Sequence, residues 1–402
     1  MSLAIKIDAR DSSRKIFFWV GLIIMYNSMQ LYFTWFIPQS ALMFVTYLSA
    51  GMYMAFNELH FTRKRLIASL LIISVFFYEQ LVVYPVSFTA VSYLISRVLF
   101  LLLLIFSSEE CLRQFLKLII QVTAWMILIS LFFWILFLIG VPLPHYSTLT
   151  NNYYKHSVYF FFILNGDPGQ LLPRFAGLFL EPGHLGSTAC LLLFLNGVTL
   201  RKWQNVVFLV AVILSLSLAA YGLLVGSIAL YLITSTRNGW LKMLPYIIVL
   251  AGVVAFFSGY RGGENAINQK ILMRLVFENG EMVGNNRTSQ VFDSQYNRFI
   301  KSKDAIFGMG RSVNENTHSS TGLLHGTASW KRYIFLRGYV GCALLLMFLF
   351  YYLHAYPSKL GLAFMIIYLV CNIIRDYPID ELWLYLVIAS LPVYRQDKLS
   401  ME

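Results

Sequence analysis

The residue types best suited to chemistry lie in two long polar loops of this 402-residue chain. The first loop, residues 141–182, ends in a run from Arg174 to Glu181 and Pro182, directly before an apolar segment. Arginine offers a planar fork of donors that suits phosphate, and a carboxylate such as Glu181 can accept a proton or orient a cation. A simpler interpretation fits the same spacing: Glu181 caps a helix that Pro182 opens, and Arg174 pairs with it or holds lipid head groups.

The second loop, residues 259–337, is rich in Arg, Asn, Ser, Gly and His, and its eleven basic residues face six carboxylates. Long loops escape the positive-inside rule, so this excess calls for another explanation, and an anionic ligand is one. Arg287 and Arg311 are candidate ligands. Arg311 follows the turn Gly308-x-Gly310, whose backbone N–H groups would suit a phosphate, although the two glycines also fit an ordinary turn.

Two histidines of the second loop, His318 and His325, are candidate general bases, because neutral imidazole accepts a proton near pH 7. The alternative for each is an exposed, inert loop histidine. Together with Glu315 they have no recognised metal-ligand spacing, so we expect no metal site and no cofactor. Arg97 lies inside an apolar run, where an ionisable residue normally faces a protein interior or a water-filled cavity. Snorkelling of Arg97 to the membrane interface is the alternative.

The elements that must position these residues are membrane helices. The chain is 58% hydrophobic and only 12% charged, roughly half the charged fraction of a soluble domain. At about 20 apolar residues per crossing, the composition supplies roughly 12 spans. We therefore predict an all-α, polytopic integral membrane protein in which residues 1–402 form a single membrane domain. The predicted spans are 16–36, 38–56, 66–84, 90–107, 117–140, 183–200, 205–218, 221–235, 243–258, 338–355, 360–374 and 381–394.

Basic residues mark one side of this twelve-span arrangement. The clusters that fall on that side are Lys6/Arg10/Arg14/Lys15, Arg63/Lys64/Arg65, Arg113/Lys117, Arg201/Lys202, Arg237/Lys242, Lys359 and Arg395/Lys398. The positive-inside rule then places both termini in the cytoplasm and both long loops outside. None of the four cysteines lies in a long loop, so no disulfide is expected. No nucleic-acid-binding motif accompanies the positive charge, so nucleic acid is not expected as a partner.

Taken together, these features resemble the O-antigen polymerases, within the wider O-antigen polymerase and ligase group of bacterial polysaccharide enzymes. The run Arg174–Pro182 is similar to the Arg-x-x-Gly…Glu-Pro signature that ends the first periplasmic loop of many polymerases. The run Ser215–Tyr221, between two short spans, is similar to the Ser/Thr-rich turn that comes next in the family. Arg287 and the Gly308-x-Gly310 turn resemble the Arg and Gly-x-Gly of the second loop.

One histidine also contributes to this resemblance. His325 precedes Gly338-x-x-Gly341 by about the spacing found in the group, but it is followed by Gly326 rather than Asn or Ser. His318, followed by Ser319, fits that detail better and lies further from Gly338. Ligases usually lack the Glu-Pro pair, which favours a polymerase.

The resemblance implies a C-type glycosyltransferase-like fold in the bacterial inner membrane and a metal-independent glycosyltransferase. Its substrates would be undecaprenyl-pyrophosphate-linked oligosaccharide repeat units, joined at the periplasmic face, and its other partners membrane lipids and a chain-length regulator protein. The roles implied are pyrophosphate binding by Arg174 and Arg287, with Arg97 or Arg311 assisting. Glu181 or a histidine would be the base.

Two other functions remain open. An O-antigen ligase would transfer glycan to lipid A–core. A transporter or flippase would move a lipid-linked oligosaccharide or an anion across the membrane, and should carry charged residues along a transmembrane cavity. We expect Arg97 to be the only clearly buried charge, which argues against transport.

Overall fold

A computed structural model describes residues 2–84, 87–151, 154–165, 173–235, 290–310, 330–374 and 382–399, with a few separate positions between 241 and 282. This part of the chain is mostly helical. Its α-helices, in chain order, are α1 (Ser2–Ser28), α2 (Gln39–Phe56), α3 (Arg63–Val82), α4 (Phe88–Phe106), α5 (Glu109–Leu138), α6 (Pro182–Leu195), α7 (Trp203–Leu214), α8 (Leu218–Ser235), α9 (Gln290–Phe299), α10 (Trp330–Ala355), α11 (Lys359–Ile374) and α12 (Leu382–Leu399).

Many of these helices are long and apolar enough for a membrane protein, as expected. Within the described residues, five have the length and composition to cross a membrane, namely α3, α4, α5, α8 and α10. Helices α6, α7, α11 and most of α12 are apolar but shorter. The predicted run 243–258 lies mostly outside the described residues, so the count of twelve spans stays a prediction.

A small sheet interrupts the helical pattern after α5. Strands β1 (His145–Asn151), β2 (Tyr154–Tyr159) and β3 (Phe162–Asn165) form an antiparallel sheet in the order β1-β2-β3. Strands β4 (Phe277–Glu278) and β5 (Glu281–Met282) form a two-stranded ladder. The end of α5 packs against the turn of the larger sheet, where the rings of Phe133 and Phe161 stack at 4.3 Å.

The chain divides into two compact units. The first contains residues 1–119, 288–362 and 372–402, and the second contains residues 120–287 and 363–371. In the first unit, Lys64 at the start of α3 donates a hydrogen bond to the carbonyl of Ala355 at the end of α10 (3.5 Å). Glu79, near the end of α3, pairs with Arg337, near the start of α10. These two helices therefore run antiparallel.

Helix α6 lies at the centre of the second unit, and it is buried from Pro182 to Phe194. It packs against α7 and α8. A Cβ atom on Gly186 would lie 2.5 Å from the Cβ of Ala220, so glycine is needed for the close approach of α6 and α8. The Cys190 thiol donates to the carbonyl of Ala220 at 3.4 Å on the same side of the helix. The first half of α6 is thus packed closely against its neighbouring helices.

Candidate active site

The segment from Arg174 to Glu181 contacts the end of α7 at its first residues and leads into the start of α6. The backbone N–H of Phe175 donates to the carbonyl of Leu214, the last residue of α7, at 3.0 Å. The Arg174 Nε–H donates to the carbonyl of Ser215, the next residue, also at 3.0 Å. Arg174 thereby places a cation at the C-terminal end of α7, where the helix dipole favours positive charge. Its guanidinium is held in place by backbone, and the side chain is only half-buried.

Glu181 occupies the N-cap position of α6, and Pro182 is the first residue of the helix, as the sequence predicts. The Glu181 carbonyl accepts hydrogen bonds from the N–H groups of His184 (3.0 Å) and Leu185 (3.2 Å). Its side chain makes no capping hydrogen bond to the helix. The simpler interpretation is therefore correct that Glu181 is the capping residue of α6, although its carboxylate takes no part in the capping. The capping uses only the backbone of Glu181, and the carboxylate lies where the helix dipole favours an anion.

The residues between Arg174 and Glu181 are held by packing and by backbone hydrogen bonds. Phe175 is fully buried and its ring meets that of Trp134 edge-on, with centroids 5.5 Å apart. Gly177 has φ +56°, a left-handed conformation that glycine adopts without steric cost. Its carbonyl accepts a hydrogen bond from Ile163 in β3 (2.8 Å). The segment is thus held by contacts with the sheet, with α5 and with α7.

The turn between α7 and α8 lies beside Arg174 and forms another part of this site. Leu216 has φ +46°, which is unusual for a branched side chain and costs energy. The Ser217 carbonyl accepts from the N–H of Tyr221 at 3.0 Å, and the Tyr221 hydroxyl donates to the carbonyl of Ile213 at 2.5 Å. Tyr221 also lies near the charged side chain of Arg174. The expected Ser-rich turn is therefore a tight helix reversal beside Arg174.

Arg97 is buried in the first unit, with 7% of its surface exposed. Its guanidinium carbon lies 5.7 Å from the ring centre of Phe76 in α3 and 5.6 Å from that of Tyr93 in α4. Tyr385 of α12 also lies close to it. Aromatic faces attract a cation when water is excluded. Arg97 therefore faces the protein interior, and the snorkelling alternative does not fit.

Arg97 is not the only buried charge, so that expectation is wrong. Both guanidinium Nε and Nη2 of Arg337 donate to the carboxylate of Glu79, and the two residues are 3% and 2% exposed. The Arg337 guanidinium also lies 4.4 Å from the ring centre of Tyr333. Arg65 is buried as well, and donates to the carbonyl of Phe106 at 3.0 Å. Glu79 was detectable from the sequence, because it is a carboxylate within a predicted span.

The glycines of the Gly308-x-Gly310 turn have a packing role in the structure. Gly308 has φ +86°, and a Cβ on it would lie 2.4 Å from the carbonyl oxygen of Leu336. A Cβ on Gly310 would lie 2.2 Å from the carbonyl oxygen of Val82, at the end of α3. Met309, between them, donates its N–H to the carbonyl of Phe335 at 2.8 Å. The turn thus docks backbone-to-backbone on α10 and α3, which supports the ordinary-turn interpretation.

An aromatic cluster fastens α9 to the start of α10. Phe292, Tyr296 and Phe299 of α9 are buried against Phe335, and the rings of Phe299 and Phe335 lie 4.7 Å apart. Burial, together with nearby Tyr339 and Cys342, raises the pKa of Tyr296 to about 12. Tyr296 is therefore neutral near pH 7 and packs as an aromatic ring rather than acting as a base.

Four predicted site residues lie outside the described residues: Arg287, Arg311, His318 and His325. Their proposed roles remain predictions. Among the described residues, no group of three or more His, Cys, Asp or Glu side chains could hold a metal ion. Of the predicted set, the structure places Arg174 and Glu181 at the ends of one short segment of the second unit, and Arg97 in the core of the first.

Comparison with protein-family models, with curated proteins and with solved structures finds no match to this chain. A function for the chain must therefore be inferred from the motif resemblance and from the geometry of Arg174 and Glu181.

Proposed function

We propose that this protein is a membrane glycosyltransferase that polymerises a surface polysaccharide, joining lipid-linked oligosaccharide repeat units outside the cytoplasm. The observation that carries the proposal is the placement of Arg174 and Glu181. A cation and a carboxylate lie at opposite ends of one packed segment, each at the helix end whose dipole favours its charge.

In the proposed reaction, a hydroxyl oxygen of the acceptor repeat unit attacks the anomeric carbon of the donor glycan. The bond from that carbon to the pyrophosphate oxygen breaks, and the undecaprenyl pyrophosphate leaves with the electron pair. Arg174, with Arg287 from the second loop, neutralises the charge that grows on the pyrophosphate. Glu181, His325 or His318 accepts the hydroxyl proton. Arg97 or Arg311 would assist in holding the anion.

Movement of a lipid-linked oligosaccharide is the second candidate function, and the buried charges favour it. Each of those charges nevertheless has a structural partner: Glu79 pairs with Arg337, Arg65 with backbone carbonyls, and Arg97 with aromatic rings. Paired charges of this kind can fix helix positions rather than line a substrate path. Polymerisation is therefore the function that we put forward first.

The test is the gel profile of surface lipopolysaccharide from a strain that lacks the gene. A polymerase predicts core carrying a single repeat unit, whereas a ligase or a transporter of the lipid-linked oligosaccharide predicts core without any repeat. A transporter of another anion predicts unchanged glycan with altered uptake. The wild-type gene should restore the long-chain ladder, and either of the other two profiles would remove the polymerase proposal.

A further inference from the structure

A pocket of about 330 Å³ opens between the middle of α1 and the first turns of α5, in the first unit. The residues of its wall that matter here are Arg14, Lys15, Phe18, Trp19, Gln114 and Leu118. None of them belongs to the proposed glycosyl-transfer site. The pocket combines cations and large apolar side chains in one cavity.

The pocket lies where both helices change from polar to apolar sequence. Helix α1 is rich in charge up to Lys15 and apolar from Ile16 onward, and α5 changes in the same way between Lys117 and Leu118. The two changeover points are joined, because Arg14 Nη1 donates to the side-chain oxygen of Gln114 at 3.3 Å. Helix α5 has the length and composition to cross a bilayer, and in such a helix this changeover marks the level of the lipid head groups.

The polar side of the pocket carries a net positive charge. Arg14 and Lys15 supply two cations, and Asp11 is the one carboxylate among the described residues of the wall. Asp11 is 58% exposed at its side chain and lies 3.8 Å from Arg14, whose own side chain is 14% exposed. Arg14 Nη2 also donates to Asn57 at 3.4 Å, while Arg14 Nε is buried without an acceptor among the described residues. A phosphate oxygen in the pocket would meet the partly exposed guanidinium of Arg14 and the exposed ammonium of Lys15.

The apolar side of the pocket is formed by Phe18, Trp19 and Leu118. Phe18 is buried, whereas the Trp19 ring is 49% exposed beside the cations. Tryptophan at the head-group level is typical of lipid contact. A free anion would gain nothing from these rings, whereas an acyl chain would cover them. A ligand with an anionic head and an apolar tail therefore matches both halves.

We propose that this pocket binds an anionic phospholipid, with its phosphate against Arg14 and Lys15 and an acyl chain along Trp19 and Leu118. Basic pockets between membrane helices recognise such head groups through charge. A zwitterionic lipid is disfavoured, because its ammonium group would meet the same two cations.

Native mass spectrometry of the full-length protein in detergent tests the proposal. Phosphatidylglycerol is titrated beside phosphatidylethanolamine of the same acyl chains, and glycerol 3-phosphate represents the free anion. We expect selective retention of phosphatidylglycerol. Arg14→Gln and Lys15→Gln should each weaken it by about fivefold, because one cation near a lipid surface contributes on that order. Lys359→Gln, which removes an exposed cation from α11, is the matched control and should leave binding unchanged.

Several results would overturn the proposal. These are equal binding of the two lipids, equal binding of glycerol 3-phosphate, or an equal loss in the Lys359→Gln control. Arg14 also holds Asn57 and Gln114, so its variant could fail to fold. In that case Lys15→Gln and Trp19→Ala, both at exposed positions, decide the matter. If both bind phosphatidylglycerol as tightly as the wild type, the pocket is not its site.

Discussion

Arg174 can be tested by a substitution that keeps its charge. Lysine at position 174 retains one positive charge but loses the planar fork, including the Nε–H that donates to Ser215. Loss of bidentate phosphate contact in the transition state should lower polymer formation by about 10²-fold or more, as for a lost oxyanion donor. Long-chain polysaccharide is measured by gel profile in a deletion strain carrying the variant gene, at matched protein level.

Arg201→Lys is the control for this experiment, because Arg201 is exposed beyond the end of α6 and has no role in the proposed site. It should restore the full ladder of chain lengths. Wild-type polymer from Arg174→Lys would show that the planar fork is not needed, and the pyrophosphate role of Arg174 would then be abandoned.

The identity of the general base is a second question at the residue scale. Glu181→Gln keeps the size of the side chain and removes its charge, and His325→Ala and His318→Ala remove the imidazoles. A general base contributes about 10²–10⁴-fold, so only one variant should lose that much activity in a purified assay. The wild-type rate should fall at low pH as that base becomes protonated, and the corresponding variant should lack this acidic limb.

Glu58→Gln is the matched control for Glu181→Gln, since Glu58 is exposed in the α2–α3 connection. If no variant loses more than a few-fold, none of these side chains is the base. Catalysis would then depend on positioning and on arginine charge. If Glu181→Gln loses activity at every pH with an unchanged profile, Glu181 orients a neighbouring group instead of accepting the proton.

The sequence predicts the local setting of Glu181 well and that of Arg174 only in part. A Glu-Pro pair before an apolar run indicates a helix start, and the structure has one there. The contact of Arg174 with Ser215 joins positions 41 residues apart, and no local pattern encodes such a pairing. The absence of side-chain capping by Glu181 likewise depends on how the chain enters α6, which the sequence does not reveal.

At the scale of elements, a substitution in the Gly308-x-Gly310 turn can distinguish a packing role from a phosphate-binding role. Gly308→Ala places a Cβ against the backbone of Leu336 in a left-handed conformation. We expect destabilisation of at least about 2 kcal/mol from clash and strain together. Gly222→Ala is the control: Gly222 lies in α8 with open space around it, so the unfolding temperature should stay the same or rise slightly. Thermal unfolding in detergent measures both variants. Unchanged stability with lost activity in Gly308→Ala would favour the phosphate-binding role.

The buried Glu79–Arg337 pair fixes the start of α10 against α3. Removing one partner leaves a buried charge, so Glu79→Gln or Arg337→Met alone should cost about 3–5 kcal/mol. The double variant Glu79→Leu/Arg337→Met leaves no unpaired charge and should recover most of that stability. A double-mutant cycle, with unfolding in detergent as readout, measures the coupling free energy.

The Asp293–Lys331 pair supplies a matched comparison within the same unit. Its side chains are about one-third exposed, with the two charges 2.6 Å apart. Solvent screening should reduce the effect of Asp293→Asn to about 1 kcal/mol or less. Equal losses for the two pairs would contradict the role we assign to burial. A double variant at Glu79 and Arg337 that is stable but inactive would show that this pair serves the reaction or transport directly.

The apolar runs predict most helices of the structure, because their hydrophobicity is local information. Even the kink of α10 at Gly338 coincides with the predicted start of the run 338–355. The strands β1–β3 were not predicted, because their aromatic residues also suit a membrane interface. The turn between β2 and β3 also contacts α5, more than 20 residues earlier in the chain, and no short window encodes such a contact. The Glu79–Arg337 pair joins residues 258 positions apart and could not be predicted as a pair.

At the scale of the whole molecule, composition determines the class of protein more firmly than the function. A chain with 12% charged residues and five long apolar helices within its described part fits a membrane and little else. The proposed reaction would depend instead on a handful of residues, several of which lie in the second loop beyond the described residues. The orientation in the membrane connects the class of protein with the proposed function, because a polymerase of lipid-linked units needs Arg174 and Glu181 on the outer face.

Orientation can be tested by single cysteines at exposed positions of the first unit. Lys303→Cys lies in the second loop and should react with a membrane-impermeant maleimide in intact spheroplasts. Glu58→Cys lies beside the basic cluster Arg63–Arg65 and should react only after lysis, because such clusters stay in the cytoplasm. Cys111, Cys190 and Cys371 are buried, and the half-buried Cys342 is replaced by alanine to remove background labelling.

The reverse pattern would place the second loop in the cytoplasm, and polymerisation outside the cytoplasm would then be excluded. Labelling of both positions before lysis would show that the spheroplasts leak. The parent protein without added cysteines measures the background labelling.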